Sequence, residues 1–225
     1  MAWLAIVCLL AVTTALCVRM AALAPGVYGP AVCGGRSGGG GRGPPRHVMV
    51  FLGSGGHTGE MLRLLEVYGA ALVAGATVRV GYTDEASAAR GRQSVALRAA
   101  RSVEYVPLLK AREVGAGAGA AVRSTLRAAA QAFGAVRRAR RALQAGPHVV
   151  VLNGPGTSVV VLFWLRVLDL VSLRRTRVVY VESLARTESL SVSGRLAYPF
   201  ADEFVVQWPD LAQRYRRARW FGTLV

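Results

Sequence analysis

Three short stretches of this chain hold residues whose types and spacing could do chemistry. The first is Gly53-Ser54-Gly55-Gly56-His57-Thr58-Gly59-Glu60, a histidine and two hydroxyls set among four glycines. Glycine lets a backbone come close to a ligand, and the unpaired N–H groups of a helix's first turn attract an anion. A histidine placed there can hydrogen-bond a phosphate or serve as a general base; a plain turn contact is the competing reading of His57. The second stretch, Asn153-Gly154-Pro155-Gly156-Thr157-Ser158, is another glycine turn. The third is Glu182, followed by Ser183 and Arg186. A carboxylate at a strand end beside a cleft is a site candidate. Pairing of Glu182 with Arg186, to hold the loop Ser183–Ser193, explains the same residues.

Several kinds of site are excluded. A Walker loop needs Gly-Lys-Ser/Thr, and the only lysine is Lys110. The dinucleotide fingerprint G-x-G-x-x-G fails where Thr58 stands, and Asp84 comes later than the ~20-residue spacing of a ribose-binding carboxylate. No Asp-x-Asp pair is present to hold a divalent metal on a nucleotide. The three cysteines, Cys8, Cys17 and Cys33, all precede the region with folding pattern. Neither a disulfide framework nor a cysteine metal site is available, and no metal is expected.

The elements that must position these residues alternate in type. Apolar runs predict strands at Val48–Leu52, Thr77–Tyr82, Val103–Pro107, His148–Asn153, Arg177–Glu182 and Glu203–Gln207. Helical spacing predicts helices over Glu60–Tyr68, Glu85–Arg98, Ala120–Leu143, Ser158–Leu170 and Gly194–Phe200. The first, fourth and fifth strands are nearly continuous apolar runs, as buried parallel strands are. The expected fold class is α/β, a single Rossmann-like, doubly wound parallel sheet. With strand order 3-2-1-4-5-6, both glycine turns border the topological switch point, where ligands bind in such sheets.

The formal charge of +16 suits phosphate-rich partners, though it also fits an arginine-rich base composition. Nucleic acid is disfavoured, since no zinc-finger, RNA-binding or basic-zipper signature appears. Met1 to Val18 carries no charge and, as helix, reaches roughly 27 Å, about the hydrocarbon thickness of an endoplasmic-reticulum bilayer. Residues 1–24 are expected to be an uncleaved transmembrane helix. A cleaved signal peptide competes through Ala22-Leu23-Ala24, but no basic residue precedes the run and Pro25 would follow the cut. Arg19, Arg36, Arg42 and Arg46 place the N-terminus in the lumen and the domain in the cytosol. Residues 25–46 read as a Gly/Pro/Arg-rich linker, and residues 47–225 as the folded domain. The stripe Val122, Leu126, Ala129, Phe133 and Val136 makes Ala120–Leu143 a basic amphipathic helix. It rests either on anionic lipid or in water.

Gly53-Ser54-Gly55-Gly56-His57-Thr58-Gly59-Glu60-Met61, Asn153-Gly154-Pro155-Gly156-Thr157, Tyr180-Val181-Glu182-Ser183 and Val206-Gln207-Trp208-Pro209 stand in that order. In these four blocks the chain resembles the asparagine-linked glycosylation fourteen family, from about His47 to the end. The resemblance implies the acceptor-side half of a GT-B glycosyltransferase. It implies the membrane subunit of a two-chain UDP-N-acetylglucosamine transferase at the endoplasmic-reticulum membrane, inactive without a separate catalytic subunit. That enzyme adds the second N-acetylglucosamine to N-acetylglucosaminyl-diphospho-dolichol. No cofactor is expected on this chain alone, and UDP-N-acetylglucosamine is the donor used by the pair. By the same likeness Gly55, Gly56, His57 and Thr58 would contact the acceptor diphosphate or sugar. Placed at the switch point, the whole loop Gly53, Ser54, Gly55, Gly56, His57, Thr58 and Gly59 would grip the diphosphate, with Asn153, Gly154, Gly156 and Thr157 across the cleft. His57 or Glu182 would orient the acceptor 4-hydroxyl or take its proton.

The tail Trp220-Phe221-Gly222-Thr223-Leu224-Val225 is apolar and aromatic, costly to leave in water. It resembles the family's partner-docking end, which makes Trp220, Phe221, Leu224 and Val225 candidate partner contacts. Two other functions compete: a purely structural membrane adaptor, and a stand-alone nucleotide-dependent enzyme, which the broken dinucleotide fingerprint disfavours.

Overall fold

A computed structural model of the chain describes residues 44–110, 118–172 and 174–224, together with Thr14. Apart from Thr14, the anchor and nearly all of the linker expected over residues 1–46, together with Val225 of the tail, lie outside the described residues. Among the described residues no helix is long and apolar enough to cross a membrane.

Seven strands form one sheet in the order β3-β2-β1-β4-β5-β6-β7. They are β1 (His47–Leu52), β2 (Thr77–Tyr82), β3 (Ser102–Pro107), β4 (His148–Asn153), β5 (Val178–Val181), β6 (Glu203–Val206) and β7 (Ala218–Trp220). Every pairing is parallel, and β1 lies between β2 and β4 with His47 opposite both Thr77 and His148. The order 3-2-1-4-5-6 on which the switch-point reading depends is observed, with β7 added at the edge. That strand was not foreseen. The helix that begins at Pro209 stops at Arg214, and Arg217 then ties the chain to the sheet. Its guanidinium donates to the Tyr198 and Ala201 carbonyls at 2.6 Å each.

The period-two alternation of β1 feeds two cores. Val48, Val50 and Leu52 pack with Met61, Leu62 and Leu65 of α1 (Gly56–Leu72). Met49 and Phe51 face the other way, toward α4 (Ala118–Leu143) and α5 (Gly156–Ser172). The crossovers leaving β1 and β4 therefore run to opposite faces, which is the condition for a switch point between them.

Local differences from the sequence reading have physical causes. The expected helix Glu85–Arg98 is two, α2 (Glu85–Gln93) and α3 (Val95–Arg98), broken where Ser94 takes an extended ψ of 125°. Asp84, the carboxylate too late for a ribose, caps α2 by accepting from the Ser87 amide at 2.9 Å. The buried stripe of α4 is made of Ala128, Ala132, Ala135, Val136, Ala139 and Leu143, while Leu126 and its arginine neighbours face outward. Small alanines let α4 lie close to α5, where the Trp164 indole donates to the Ala129 carbonyl at 2.8 Å. Two short helices, α6 (Val192–Ala197) and α7 (Pro209–Arg214), complete the second face.

Candidate functional site

Because β1 and β4 are neighbours, the glycine turns at their carboxyl ends stand side by side, and they touch. A methyl group added to Gly53 would lie 2.5 Å from Pro155 Cγ. One added to Gly154, whose φ is +45°, would lie 2.1 Å from His57 Nδ1. The imidazole thus rests flat against the Gly154 backbone, in a space only glycine leaves open. Asn153 fastens the corners from beneath, its Nδ2 donating to the His57 carbonyl at 2.8 Å. Its Oδ1 is buried and accepts no hydrogen bond from the described residues.

The outer rim is bare. Gly55 turns the chain at φ +66° and precedes the first helical residue, with no side chain capping the helix. Nothing lies within 4 Å of a Cβ built on Gly55 or Gly56. The helix begins at Gly56, four residues earlier than its apolar periodicity indicated, so the glycines form its first turn rather than a loop before it. Unpaired amides and the dipole at the start of a helix favour negative charge there. The Arg90 guanidinium borders this corner, 3.5 Å from where a Gly59 side chain would begin.

His57 is held as well as placed. Its Nδ1 lies 3.3 Å from Glu60 Oε2, one helical turn on. The other carboxylate oxygen accepts from Ser183 Oγ at 2.7 Å and the Leu184 amide at 3.2 Å, both in the loop after β5. Burial pushes the Glu60 carboxyl up, but the hydrogen bonds from His57, Ser183 and Leu184 outweigh it and leave the group below its ordinary pKa. Glu60 is therefore a carboxylate in the neutral range.

Two expected site residues take other roles. Thr58 is fully buried; its hydroxyl donates to the Gly53 carbonyl and lies 2.8 Å from Ser87 Oγ. Only its backbone N–H is left to offer a ligand. Glu182 is 1% exposed, and its carboxylate accepts from the Ser183 amide at 3.0 Å and from the Ser191 amide at 3.1 Å. It holds the loop Ser183–Ser193, but through backbone amides and Ser191 rather than through Arg186, which is exposed. Thr157 is also buried, whereas Gly156 lies open on the rim.

Val206-Gln207-Trp208-Pro209 serves the same loop from β6. Gln207 Nε2 donates to the Glu182 carbonyl at 3.4 Å, and the Trp208 indole donates to the Leu184 carbonyl at 2.8 Å. Gln207 Oε1 accepts from the Leu224 amide at 2.9 Å, so Leu224 is tied to its own sheet. Trp220 and Phe221 remain outside, 48% and 59% exposed. Glu60 and Arg90 were missed in the sequence. Glu60 was legible in principle, since a carboxylate three residues after a histidine shares its helical face. Among the described residues no cluster of three or more His, Cys, Asp or Glu side chains could hold a metal ion.

A family model described as oligosaccharide biosynthesis protein Alg14 like matches residues 48–224. The chain is 94% identical over 225 residues, 100% of both chains, to a protein of Eremothecium gossypii named UDP-N-acetylglucosamine transferase subunit ALG14. A Saccharomyces cerevisiae protein of the same name is 44% identical over 184 residues, covering 80% of this chain and 78% of that one. The Kluyveromyces lactis counterpart is 41% identical over 186 residues, 79% and 78% of the two chains. The four sequence blocks, the touching corners they build and a match running from β1 to the tail agree: the chain belongs to the family of Alg14-like oligosaccharide biosynthesis proteins.

Proposed function

We propose that this chain is the membrane-anchored, acceptor-binding subunit of a two-chain UDP-N-acetylglucosamine transferase. In this reading it adds the second N-acetylglucosamine to N-acetylglucosaminyl-diphospho-dolichol on the cytosolic face of the endoplasmic reticulum, and needs a separate catalytic subunit to do so. The names carried by its relatives, each a UDP-N-acetylglucosamine transferase subunit, support the assignment. The observation that carries the acceptor role is the bare first turn of α1, open at Gly55 and Gly56 and set against the second glycine corner. Backbone amides and the helix dipole there suit a diphosphate, and Arg90 adds a guanidinium beside it.

The sheet is one Rossmann-like half, and the partner is the donor-binding half of a GT-B pair. The acceptor 4-hydroxyl attacks the anomeric carbon of the donor sugar while the bond from that carbon to UDP breaks. UDP leaves with the electron pair, the hydroxyl proton passes to His57, and configuration inverts. Glu182, enclosed by its own loop, takes no part in the transfer.

Substituting His57 by alanine in the reconstituted pair is expected to lower kcat by about 10²–10⁴-fold, the usual worth of a general base. Association of the two chains should be unchanged by size-exclusion chromatography. Full activity of that variant would remove His57 from the site. Binding of the purified chain to vesicles bearing a dolichyl diphosphate sugar, over vesicles without it, separates an acceptor-binding subunit from a mere adaptor.

The exposed Trp220 and Phe221 form the docking surface for the partner, with apolar aromatic anchors of the kind found at interface cores. Deleting Phe221–Val225 is expected to abolish co-purification of the partner while the chain still sediments with membranes. Undiminished co-purification would end this assignment.

A further inference from the structure

We propose that Glu60 is the positioning residue of this site: it fixes the tautomer and orientation of His57 and makes them depend on the loop that follows β5. The inference rests on the reading above, in which His57 receives the acceptor proton. A carboxylate one turn along a helix from a histidine is, by itself, a surface ion pair worth a few tenths of a kcal/mol. The geometry here is different. Both Glu60 oxygens are engaged, one by His57 Nδ1 and the other by Ser183 Oγ and the Leu184 amide, residues more than a hundred positions away in the chain. The imidazole is confined on its other side by Gly154.

A carboxylate is acceptor-only, so the nitrogen that faces it must carry the proton. Nδ1–H donating to Glu60 leaves Nε2 as the free, proton-accepting nitrogen, which is what a general base requires. The imidazolium formed after proton transfer then faces a fixed negative charge, so the charged product of that step is stabilised in place. Ser183 and Leu184 set where that charge stands. Trp208 and Gln207 hold the same loop through the Leu184 and Glu182 carbonyls. The loop thus reaches the histidine through a single side chain.

Glu60→Gln separates this role from a structural one. The glutamine oxygen can still accept from Ser183 and Leu184, so the loop anchorage survives. The amide NH₂ then faces Nδ1, and the histidine must accept there and carry its proton on Nε2, the wrong tautomer for a base. The test uses the reconstituted pair. Steady-state kinetics should show kcat lower by about 10²–10⁴-fold in Glu60→Gln with the acceptor KM within a few-fold of wild type, as expected when a base is held in the wrong tautomer. His57→Ala/Glu60→Gln should be no slower than His57→Ala alone, because a positioning residue has nothing left to position. Nitrogen-15 spectra of histidine-labelled wild-type pair should show His57 protonated on Nδ1.

Near-wild-type kcat in Glu60→Gln, with His57→Ala inactive, overturns the role of Glu60 and leaves the proposed function standing. A further additive loss in the double variant makes Glu60 merely structural and overturns it too. So does an Nε2-protonated His57 in the wild-type pair, a result that needs no variant to fold. Full activity of His57→Ala overturns the proposed role of His57, and with it this inference.

Discussion

Replacing Gly154 by alanine is expected to silence the reconstituted enzyme as thoroughly as removing the histidine itself, although residue 154 offers no side chain to any substrate. The added methyl would lie 2.1 Å from His57 Nδ1, 2.3 Å from Cε1 and 2.5 Å from Cγ. Real carbon–nitrogen contacts do not reach such distances, so the ring has to leave. The backbone cannot yield instead, because the corner is fixed between β4 and the Asn153 hydrogen bond to the His57 carbonyl. The φ of +45° adds its own strain, about 1–2 kcal/mol for a side-chain-bearing residue in left-handed backbone. Loss of transfer activity on the order of 10²–10⁴-fold should therefore accompany a modest drop in thermal stability. Wild-type kcat with a well-folded variant would mean that the imidazole need not sit on that corner.

The second large effect lies at the other end of the sheet and concerns folding alone. Asp169 is wholly buried, and its carboxylate accepts from Arg140 Nε at 2.8 Å, Arg166 Nη1 at 2.9 Å, the Thr176 amide at 2.9 Å and Thr176 Oγ1 at 2.7 Å. Arg166 continues to Asp202 at 2.9 Å, which also accepts from the Val178 amide at 2.7 Å. One charge therefore fastens α4, α5 and the start of β5. Asp169→Ala would leave Arg140 buried without its counter-ion and the Thr176 amide without an acceptor. Breaking a buried pair from one side costs about 3–5 kcal/mol, a large part of the roughly 5–15 kcal/mol that holds a domain folded. Urea unfolding should show the midpoint falling accordingly with an unchanged slope. The molecules that remain folded should keep wild-type specific activity, since the glycine corners stand at the opposite ends of the strands. A midpoint unchanged from wild type would mean the network contributes little.

What was legible in the sequence follows from what chain-local pattern can encode. Val48–Leu52 and Val149–Leu152 are apolar without alternation, which only a strand covered on both faces tolerates, so the parallel sheet could be read directly, whereas its order was assumed from the doubly wound class. The glycine corners were legible because their residue types are set by backbone geometry rather than by a distant partner. Side-chain direction was not. Whether Thr58 faces a ligand or Ser87 depends on how α1 packs on α2, and nothing in the motif states it. Glu182 had Arg186 as a sequence neighbour, yet its partners are Ser191 and two backbone amides, and amides leave no trace in residue types. Leu126 fell on an apolar helical stripe, but α4 buries its alanines instead, because close approach to α5 selects small residues.

The hydrogen bond from Asn153 to the His57 carbonyl joins positions 96 residues apart. Synthesis delivers β1, β2 and β3 long before β4, so three strands can pair while the central seam stays open. Long-range parallel pairing is among the slower events in folding, because chain closure must be completed before its contacts are gained. A nascent or truncated chain that ends before β4 has the first glycine corner and no second one. The rim between the two corners is thus completed only when β4 has paired with β1, so a chain that ends before β4 carries the first corner without the Asn153 bond that fastens it.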